Sequence, residues 1–245
     1  MQYTHITDKG ILRSNNEDNC RAEKVFDFTI LALADGMGGA NCGEVASEEA
    51  IAAVFESLDE SFLRHLERVE IPRSLIRVTE KANKRIFLLA KEYPEYNGMG
   101  TTLDFCLVFK NSVYISHTGD SRVYKISPSG EILQLTKDHS LVEYMIDTGA
   151  ITRDQAKTHP QKNIITKALG TDAYIEPDII SHTLEDKDFI LMCSDGLTNM
   201  VNDEDILSTV LSSDTLENAA QKLVAMANDA GGTDNITVVI AQNKD

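Results

Sequence analysis

The sequence lacks the long apolar runs and the paired cysteines that would place it in several common protein classes. No apolar stretch approaches the roughly 18 residues that cross a bilayer, so we expect no membrane insertion. The N-terminus, MQYTHITDKG, has no basic segment followed by an apolar one, so we expect a cytoplasmic protein that is not exported. The cysteines are scattered without a C-x-x-C pair, which argues against a zinc or redox site.

Basic residues are also scarce. The chain has 23 lysines and arginines against 39 acidic residues, for a formal net charge of −16. Nucleic acids and anionic lipids bind basic surfaces, so neither is an expected partner. An anionic substrate would therefore need positive charge from a source other than side chains. For an acidic chain of this kind, a monomer is the expected state.

No linker, low-complexity tract or internal repeat divides the 245 residues, which predicts a single domain over 1–245. The first strand is expected at 28–34. Apolar positions at three- to five-residue steps predict a helix over 44–69, and Pro72 opens a second helix that ends near Tyr93.

Farther along, the pattern changes to short strands. Short β-branched and aromatic stretches between 101 and 136 are separated by only a few turn residues, and connections this short predict antiparallel pairing. A further strand is expected at 188–193 and a last one in NITVVIAQ. The helix before it is predicted to start at Asp214, with Glu217 as its capping-box partner. Mostly antiparallel strands with paired helices between them predict an α+β layered sandwich.

Aspartates stand at the start or end of the predicted strands, each beside glycine or another small residue: Asp35, Asp120, Asp195 and Asp234. Each one alone is most simply a turn residue. Asp35 and Asp195, however, close runs too apolar for an edge hairpin, which predicts that core strands deliver carboxylates to one end of a sheet. Converging carboxylates repel one another unless a cation joins them, and oxygen-only ligands select hard ions such as Mg²⁺ or Mn²⁺. The aspartates thus predict a divalent metal site without specifying a reaction.

Eight motifs in a fixed order give the chain a resemblance to a known family: RSNNED, ADGMGG with GEVAS, GMGTTL, GDSRVY, TKDHSLV, ITKALG, CSDGL and GGTDNITVV. Each motif is weak alone, but together they cover about 7–239 and resemble the bacterial metal-dependent serine/threonine protein phosphatases of type 2C, the PPM family. The resemblance implies a four-layer α-β-β-α sandwich. Two antiparallel sheets would be flanked by helix pairs, with a binuclear metal site at one end.

The resemblance also implies the ligands of two Mn²⁺ or Mg²⁺ ions. Asp35 would bridge the ions, and the backbone carbonyl of Gly36 would bind one of them. Asp195 and Asp234 would complete the shell of the other ion.

Four further positions match motif residues with secondary roles in the family. Glu17 and Asp18 would act mainly through metal-bound waters. Asp120 would hold a third, weaker ion together with Asp195, and Arg13 would bind the phosphate of the substrate.

The reaction that the resemblance implies is the hydrolysis of phosphoserine and phosphothreonine in proteins. Two cations activate a water and neutralise the phosphoryl oxygens, so no side-chain nucleophile is needed. Cys193 stands close to Asp195, but the surrounding carboxylates should raise its pKa, which favours a packing role. The expected partners are phosphorylated proteins and a cognate Ser/Thr kinase whose action the enzyme reverses.

Several positions near the predicted site leave questions open. Gly38 and Gly39 are expected to leave space for the substrate. Met37 stands where many eukaryotic members have a histidine proposed as the general acid, and a thioether cannot donate a proton. The donor would then be a metal-bound water or a group not identified. His139 is either structural or near the site, and 138–170 is expected to form a flap beside it.

Two alternatives use the same fold. A catalytically silent regulatory or binding module would be expected to lack metal ligands, whereas Asp35, Asp195 and Asp234 are all present. The other alternative is a phosphatase whose target is a phosphorylated regulator in a partner-switching pathway. The chain has no appended sensor domain to support that target.

Overall fold

The computed structural model describes residues 1–38 and 42–244, and its strands form two antiparallel sheets. The five-stranded sheet has the order β1-β11-β10-β7-β8, with β1 (Gln2–Asp8), β7 (Arg122–Ser127), β8 (Glu131–Gln134), β10 (Phe189–Cys193) and β11 (Ile236–Gln242). The six-stranded sheet has the order β2-β3-β5-β6-β9, and its short strand β4 pairs with β3. Its members are β2 (Asp18–Val25), β3 (Phe28–Met37), β4 (Gly100–Thr101), β5 (Leu103–Phe109), β6 (Ser112–Thr118) and β9 (Asp178–Thr183).

Helices cover the outer face of each sheet. The six-stranded sheet packs against α1 (Gly43–Ser57) and α3 (Ile71–Glu92). The five-stranded sheet packs against α7 (Asp203–Ser212) and α8 (Leu216–Asp229). The remaining α-helices of the described residues are short: α2 (Glu60–Leu63), α4 (Leu141–Asp147), α5 (Arg153–Lys157) and α6 (Asp195–Thr198). Two 3-10 helices lie at Arg68–Glu70 and Pro94–Tyr96. The predicted four-layer α-β-β-α sandwich is confirmed. No helix in the described part of the chain combines the length and apolar character needed to span a bilayer.

Alternating side chains along the central strands build the layers. In β3, Ile30 and Ala32 pack toward α1 and α3, whereas Leu31 and Leu33 pack between the two sheets. Successive side chains of a strand point to opposite faces, so a strand covered on both faces needs apolar residues at every position. This double burial explains the continuous apolar run that predicted β3.

Three strands were not predicted: β1, β2 and β9. Each lies at the edge of its sheet and pairs with one neighbouring strand among the described residues. Most of their residues are at least partly exposed, so their sequences are polar and carry no apolar run. The strand predicted at 28–34 also continues to Met37, because Gly36 pairs with Thr101 of β4. Gly39, predicted to leave room for substrate, lies outside the described residues.

Two helix predictions were wrong at their boundaries. The continuous helix over 44–69 does not form: α1 ends at Ser57, and the Asp59 side chain accepts the Phe62 N–H to cap the separate helix α2. Val69, the last apolar position of that predicted helix, is 82% exposed. The cap of α8 is Thr215, whose side chain accepts the Asn218 N–H, rather than the predicted Asp214–Glu217 pair.

Replacing Leu31 by alanine should lower the free energy of unfolding by about 2–5 kcal/mol, because the side chain is fully buried between the sheets and its loss leaves a cavity. Leu133, which is 51% exposed on β8, provides a matched control. The Leu133→Ala change should cost much less. Urea unfolding followed by circular dichroism measures both, and equal losses would contradict this placement of the core.

Candidate metal centre

The apolar layer between the sheets becomes polar at one end. Asp35 lies on the same face of β3 as Leu31 and Leu33, two residues beyond Leu33. The same alternation places polar residues at this end of five other strands or strand extensions: Asp104, His117, Ser121, Ser194 and Thr237. The strand pairings place these positions together. The site therefore forms where the hydrophobic layer stops.

The pairing of β2 with β3 sets two carboxylates opposite each other. Asp18 is the register partner of Asp35, and directly opposed residues lie on the same face of a sheet. The backbone of Asp35 is fixed by Thr102, whose Oγ1 accepts the Asp35 N–H at 2.9 Å and whose own N–H donates to the Asp35 carbonyl at 2.9 Å. Burial and the charge of Asp18 hold the pKa of Asp35 well above its usual range.

Asp18 is buried and held by two hydroxyl groups from the five-stranded sheet. Ser194 Oγ donates to Asp18 Oδ2 at 2.8 Å, and Thr237 Oγ1 donates to the same oxygen at 2.6 Å. The second oxygen, Oδ1, is buried without a hydrogen-bond partner. Burial raises the pKa of Asp18 to about 7 despite the two hydroxyl donors, and the charges of Asp195 and Asp234 add to the rise.

Asp195 and Asp120 also belong to this group, because the charges of both raise the pKa of Asp35. Asp195 follows β10 as the first residue of α6, and it accepts a hydrogen bond from Asn199 Nδ2 at 2.9 Å. Burial and the charge of Asp234 raise its pKa to about 6. Asp120 lies in the turn between β6 and β7, with its Oδ1 buried and unpartnered. Burial, followed by the charge of Asp195, raises its pKa to about 8.

Arg13 and Asp234 form an ion pair at the edge of the site. Arg13 Nη2 lies 2.6 Å from Asp234 Oδ2, and the arginine side chain is 47% exposed. Glu17 is partly buried, and burial followed by the charge of Glu44 raises its pKa. The predicted phosphate-binding arginine thus lies beside a predicted metal ligand.

Close backbone packing explains the glycine at position 36. A Cβ atom there would lie 2.1 Å from the Gly43 carbonyl oxygen and 2.5 Å from that of Glu17. The Gly36 N–H donates to the Glu17 carbonyl at 3.1 Å. Three segments of the site therefore approach one another at a point that admits no side chain.

Asn235 is a site residue that the sequence analysis missed. Its Oδ1 accepts the Glu17 N–H at 2.8 Å, and its Nδ2 donates to the carbonyls of Lys9 and Asn15, each at 2.9 Å. These bonds tie the loop that carries Arg13 to the residue after Asp234. The only sequence signal was its place in the T-D-N run before the last strand, where it reads as a turn residue.

The three residues whose roles were open or doubtful occupy different surroundings. Met37 is partly buried with its Cε next to Gly100, and it adds no proton donor to the site. His139 Nδ1 accepts the Gly119 N–H at 3.0 Å, so this histidine lies beside the Asp120 turn. Cys193 packs in the core under α7 and α8, and burial raises its pKa. Its predicted packing role is confirmed.

The aspartates fit a divalent cation by their chemistry. Asp18 and Asp120 each have a buried oxygen without a partner, and the group as a whole is held together against mutual repulsion. Divalent cations and the waters bound to them would give these oxygens partners, and carboxylate oxygens suit Mg²⁺ or Mn²⁺. Among residues 1–38 and 42–244, however, no three His, Cys, Asp or Glu side chains are gathered into a ready-made metal cluster. Arg13 and Asn199 instead hold Asp234 and Asp195 individually.

The chain is similar to known proteins over nearly its whole length. The sequence model of the family described as protein phosphatase 2C matches residues 5–231. The serine/threonine phosphatase stp of Listeria welshimeri is 39% identical over 243 residues, covering 99% of this chain and 96% of that protein.

Solved structures show that the fold of the chain is also similar to those of known serine/threonine phosphatases. The structure of the S. agalactiae serine/threonine phosphatase superposes with a TM-score of 0.91 and 37% identity, covering 98% of each chain. The catalytic domain of PstP in complex with 2 manganese ions superposes with a TM-score of 0.87 and 36% identity. It covers 100% of this chain and 98% of that chain.

Stability in the absence of metal should depend on pH in a direction set by these carboxylates. The pKa values of Asp18, Asp120 and Asp195 lie near 7, 8 and 6, above their ordinary 3.8, so the native state binds more protons than the unfolded chain. The free energy of unfolding in EDTA should therefore fall as the pH rises from about 4 to about 8. Asp120→Asn should make this decrease in the free energy of unfolding smaller near pH 8, because Asp120 has the highest pKa of the three.

Urea unfolding at pH 5 and pH 8 measures this difference. Adding Mn²⁺ at pH 8 should restore stability, because a ligand that binds the native state stabilises it. Higher stability at pH 8 than at pH 5 in EDTA would contradict the assignment.

Proposed function

The chain belongs to the protein phosphatase 2C family and is a metal-dependent protein-serine/threonine phosphatase, and we propose that the aspartates at the polar end of the inter-sheet layer hold its metal ions. The observation behind this proposal is the convergence of carboxylates from segments far apart in the chain, close enough for their charges to raise one another's pKa. Such convergence is costly unless cations are bound.

The ions are two Mn²⁺ or Mg²⁺, as in the related PstP domain with 2 manganese ions. When bound, they lower the pKa of water and neutralise the phosphoryl oxygens. Asp35, the Gly36 carbonyl, Asp195 and Asp234 would hold these two ions, with Asp35 shared between them. Asp120 and Asp195 would hold a third ion more weakly.

The remaining residues of the site orient water and substrate. Glu17 and Asp18 would accept hydrogen bonds from the waters of the site. Ser194 and Thr237 fix the carboxylate of Asp18. Arg13 can present two N–H groups to the phosphoryl oxygens, because its guanidinium lies exposed at the rim.

Met37 cannot protonate the leaving oxygen of the substrate. A thioether has no proton to donate. Water is therefore the proposed proton source for the serine or threonine that departs.

The substrate peptide has a cavity available beside the aspartates. A cavity of about 810 Å³ is lined by Asp120, Asp195 and residues of α4 and α5. We propose that 138–170 acts as a flap over this cavity within a single domain, 1–245. The flap would contact the residues that flank the phosphorylated one.

The partners, location and oligomeric state of the enzyme can be proposed as well. Phosphorylated proteins are its substrates, and we propose a cognate Ser/Thr kinase as the enzyme it opposes. A cytoplasmic monomer is proposed as its state. The net charge of −16 supports the monomer, because like-charged copies repel one another.

Release of phosphate from a phosphothreonine peptide tests the metal ligands. Wild-type protein should be active with Mn²⁺ and inactive in EDTA. Asp35→Asn and Asp195→Asn should each lower kcat/KM by at least about a hundredfold, because each weakens the binding of the cations that stabilise negative charge in the transition state. Asp214→Asn, at an exposed position, should change little. Metal-independent activity, or full activity in both site variants, would contradict the proposal. Wild-type protein inactive with Mn²⁺ would favour the silent module.

Arg13→Ala should lower kcat/KM about 10- to 100-fold, because hydrogen bonds to a charged group contribute roughly 1.5–3 kcal/mol. Inhibition by inorganic phosphate should weaken in parallel, and Arg13→Lys should recover part of both. Arg21→Ala, which removes an exposed arginine paired with Glu23, is the matched control. An unchanged phosphate inhibition constant in Arg13→Ala would exclude the phosphate-binding role.

A further inference from the structure

The turn that carries Asp120 is clamped by a histidine that the proposed mechanism does not use. The backbone N–H of His139 donates to the Gly119 carbonyl at 2.8 Å, and His139 Nδ1 accepts the Gly119 N–H at 3.0 Å. Gly119 has φ of +123°, and a Cβ there would lie 2.4 Å from Thr102 Cγ2. Gly119, the residue before Asp120, therefore has both its N–H and its carbonyl bonded to His139.

The other contacts of His139 set its tautomer. Its Nε2 lies 3.3 Å from Asp178 Oδ2, and Lys167 Nζ lies 3.1 Å from the other oxygen of Asp178. A carboxylate only accepts hydrogen bonds, so Nε2 carries the hydrogen and Nδ1 keeps its lone pair for Gly119. Burial, followed by the charges of His117 and Lys167, lowers the pKa of His139 to about 4, so the ring stays neutral near pH 7.

A second histidine, His117, fixes the plane of the His139 ring. His117 stacks on His139 with ring centroids 4.6 Å apart. The His117 side chain is fully buried, with Nδ1 2.6 Å from Asp104 Oδ1 and Nε2 2.8 Å from the Lys137 carbonyl. Since both nitrogens of His117 are held, the surface on which His139 stacks cannot rotate.

We propose that His139 is a positioning residue for Asp120, holding the Gly119–Asp120 turn so that the Asp120 carboxylate faces Asp195. The inference rests on the proposed function, in which these two aspartates share the weaker metal ion. Asp120 Oδ1 accepts no hydrogen bond, and the carboxylate is bonded to its own backbone N–H. Its direction is therefore set by the turn, and the turn is set by His139.

His139 also links this turn to the proposed flap. Its carbonyl accepts the Thr166 N–H at 2.8 Å, so the two ends of 138–170 meet at this residue. The base of the flap and the turn that carries Asp120 are thus both bonded to one residue, the flap through its backbone and the turn through its backbone and its side chain.

Mn²⁺ binding measured by titration calorimetry on the full chain tests the inference without relying on activity. Asp120→Asn should weaken the weaker class of Mn²⁺ sites and leave the tighter class nearly unchanged. His139→Ala should weaken the same class about 10- to 100-fold, the usual effect of losing a group that orients a ligand. Combining the two changes should add little to Asp120→Asn alone. His182→Ala, at an exposed position on β9, is the control.

Two isosteric variants separate positioning from general folding. The amide of asparagine at 139 lies where Nδ1 was and can accept the Gly119 N–H, whereas glutamine places its amide near Nε2. His139→Asn should therefore bind Mn²⁺ nearly as wild type does, and His139→Gln should resemble His139→Ala. This contrast holds even if His139→Ala does not fold.

The outcomes distinguish this inference from the proposed function. If Asp120→Asn weakens Mn²⁺ binding and His139→Gln does not, only the positioning role is overturned. Equal loss in the asparagine and glutamine variants also overturns it. If Asp120→Asn binds Mn²⁺ as wild type does, Asp120 is not a ligand, and the inference falls with that part of the proposed function while Asp35, Asp195 and Asp234 are unaffected.

Discussion

Repulsion among buried carboxylates is the constraint on which the rest of the site depends. Asp18, Asp35, Asp120 and Asp195 all have pKa values raised by burial and by neighbouring charge. A fold that separated them would be more stable without metal, so the strands and turns must hold them in place. The hydroxyls on Asp18, the threonine bonds to Asp35 and the Gly119 turn all perform this task. The fold's own hydrogen bonds thereby hold the carboxylates in position.

The layer between the sheets gives this arrangement its position. Along β3, β10 and β11 the inward-facing residues are apolar for most of the strand and polar at one end, where Asp35, Ser194 and Thr237 lie. The apolar part stabilises the sandwich, and it also makes the surroundings of the carboxylates poorly solvated. The same core that stabilises the fold therefore raises the pKa values and strengthens the need for metal.

How far the sequence predicted this structure depended on where each residue lies. The central strands and Asp35 were predictable, because strands buried on both faces leave apolar runs and a carboxylate ending such a run stands out. The edge strands β1, β2 and β9 left no such run. The support of Asp18 by Ser194 and Thr237 was beyond local patterns, since these partners are 176 and 219 residues away in sequence. Asn235 looked like any turn residue for the same reason.

The chain is acidic, yet it acts on a negatively charged phosphate ester, and bound cations reconcile the two. Arg13 and Lys162 are cations close to Asp195, but Arg13 is paired with Asp234 and the pKa of Asp195 stays raised, so the carboxylates outweigh the side-chain cations that act on it. Bound divalent ions relieve the carboxylates and at the same time supply the positive field that the side chains lack. Without them the polar end of the sandwich would repel a phosphorylated peptide. Metal dependence therefore follows from the charge of the site itself, as well as from the chemistry of the attacking water.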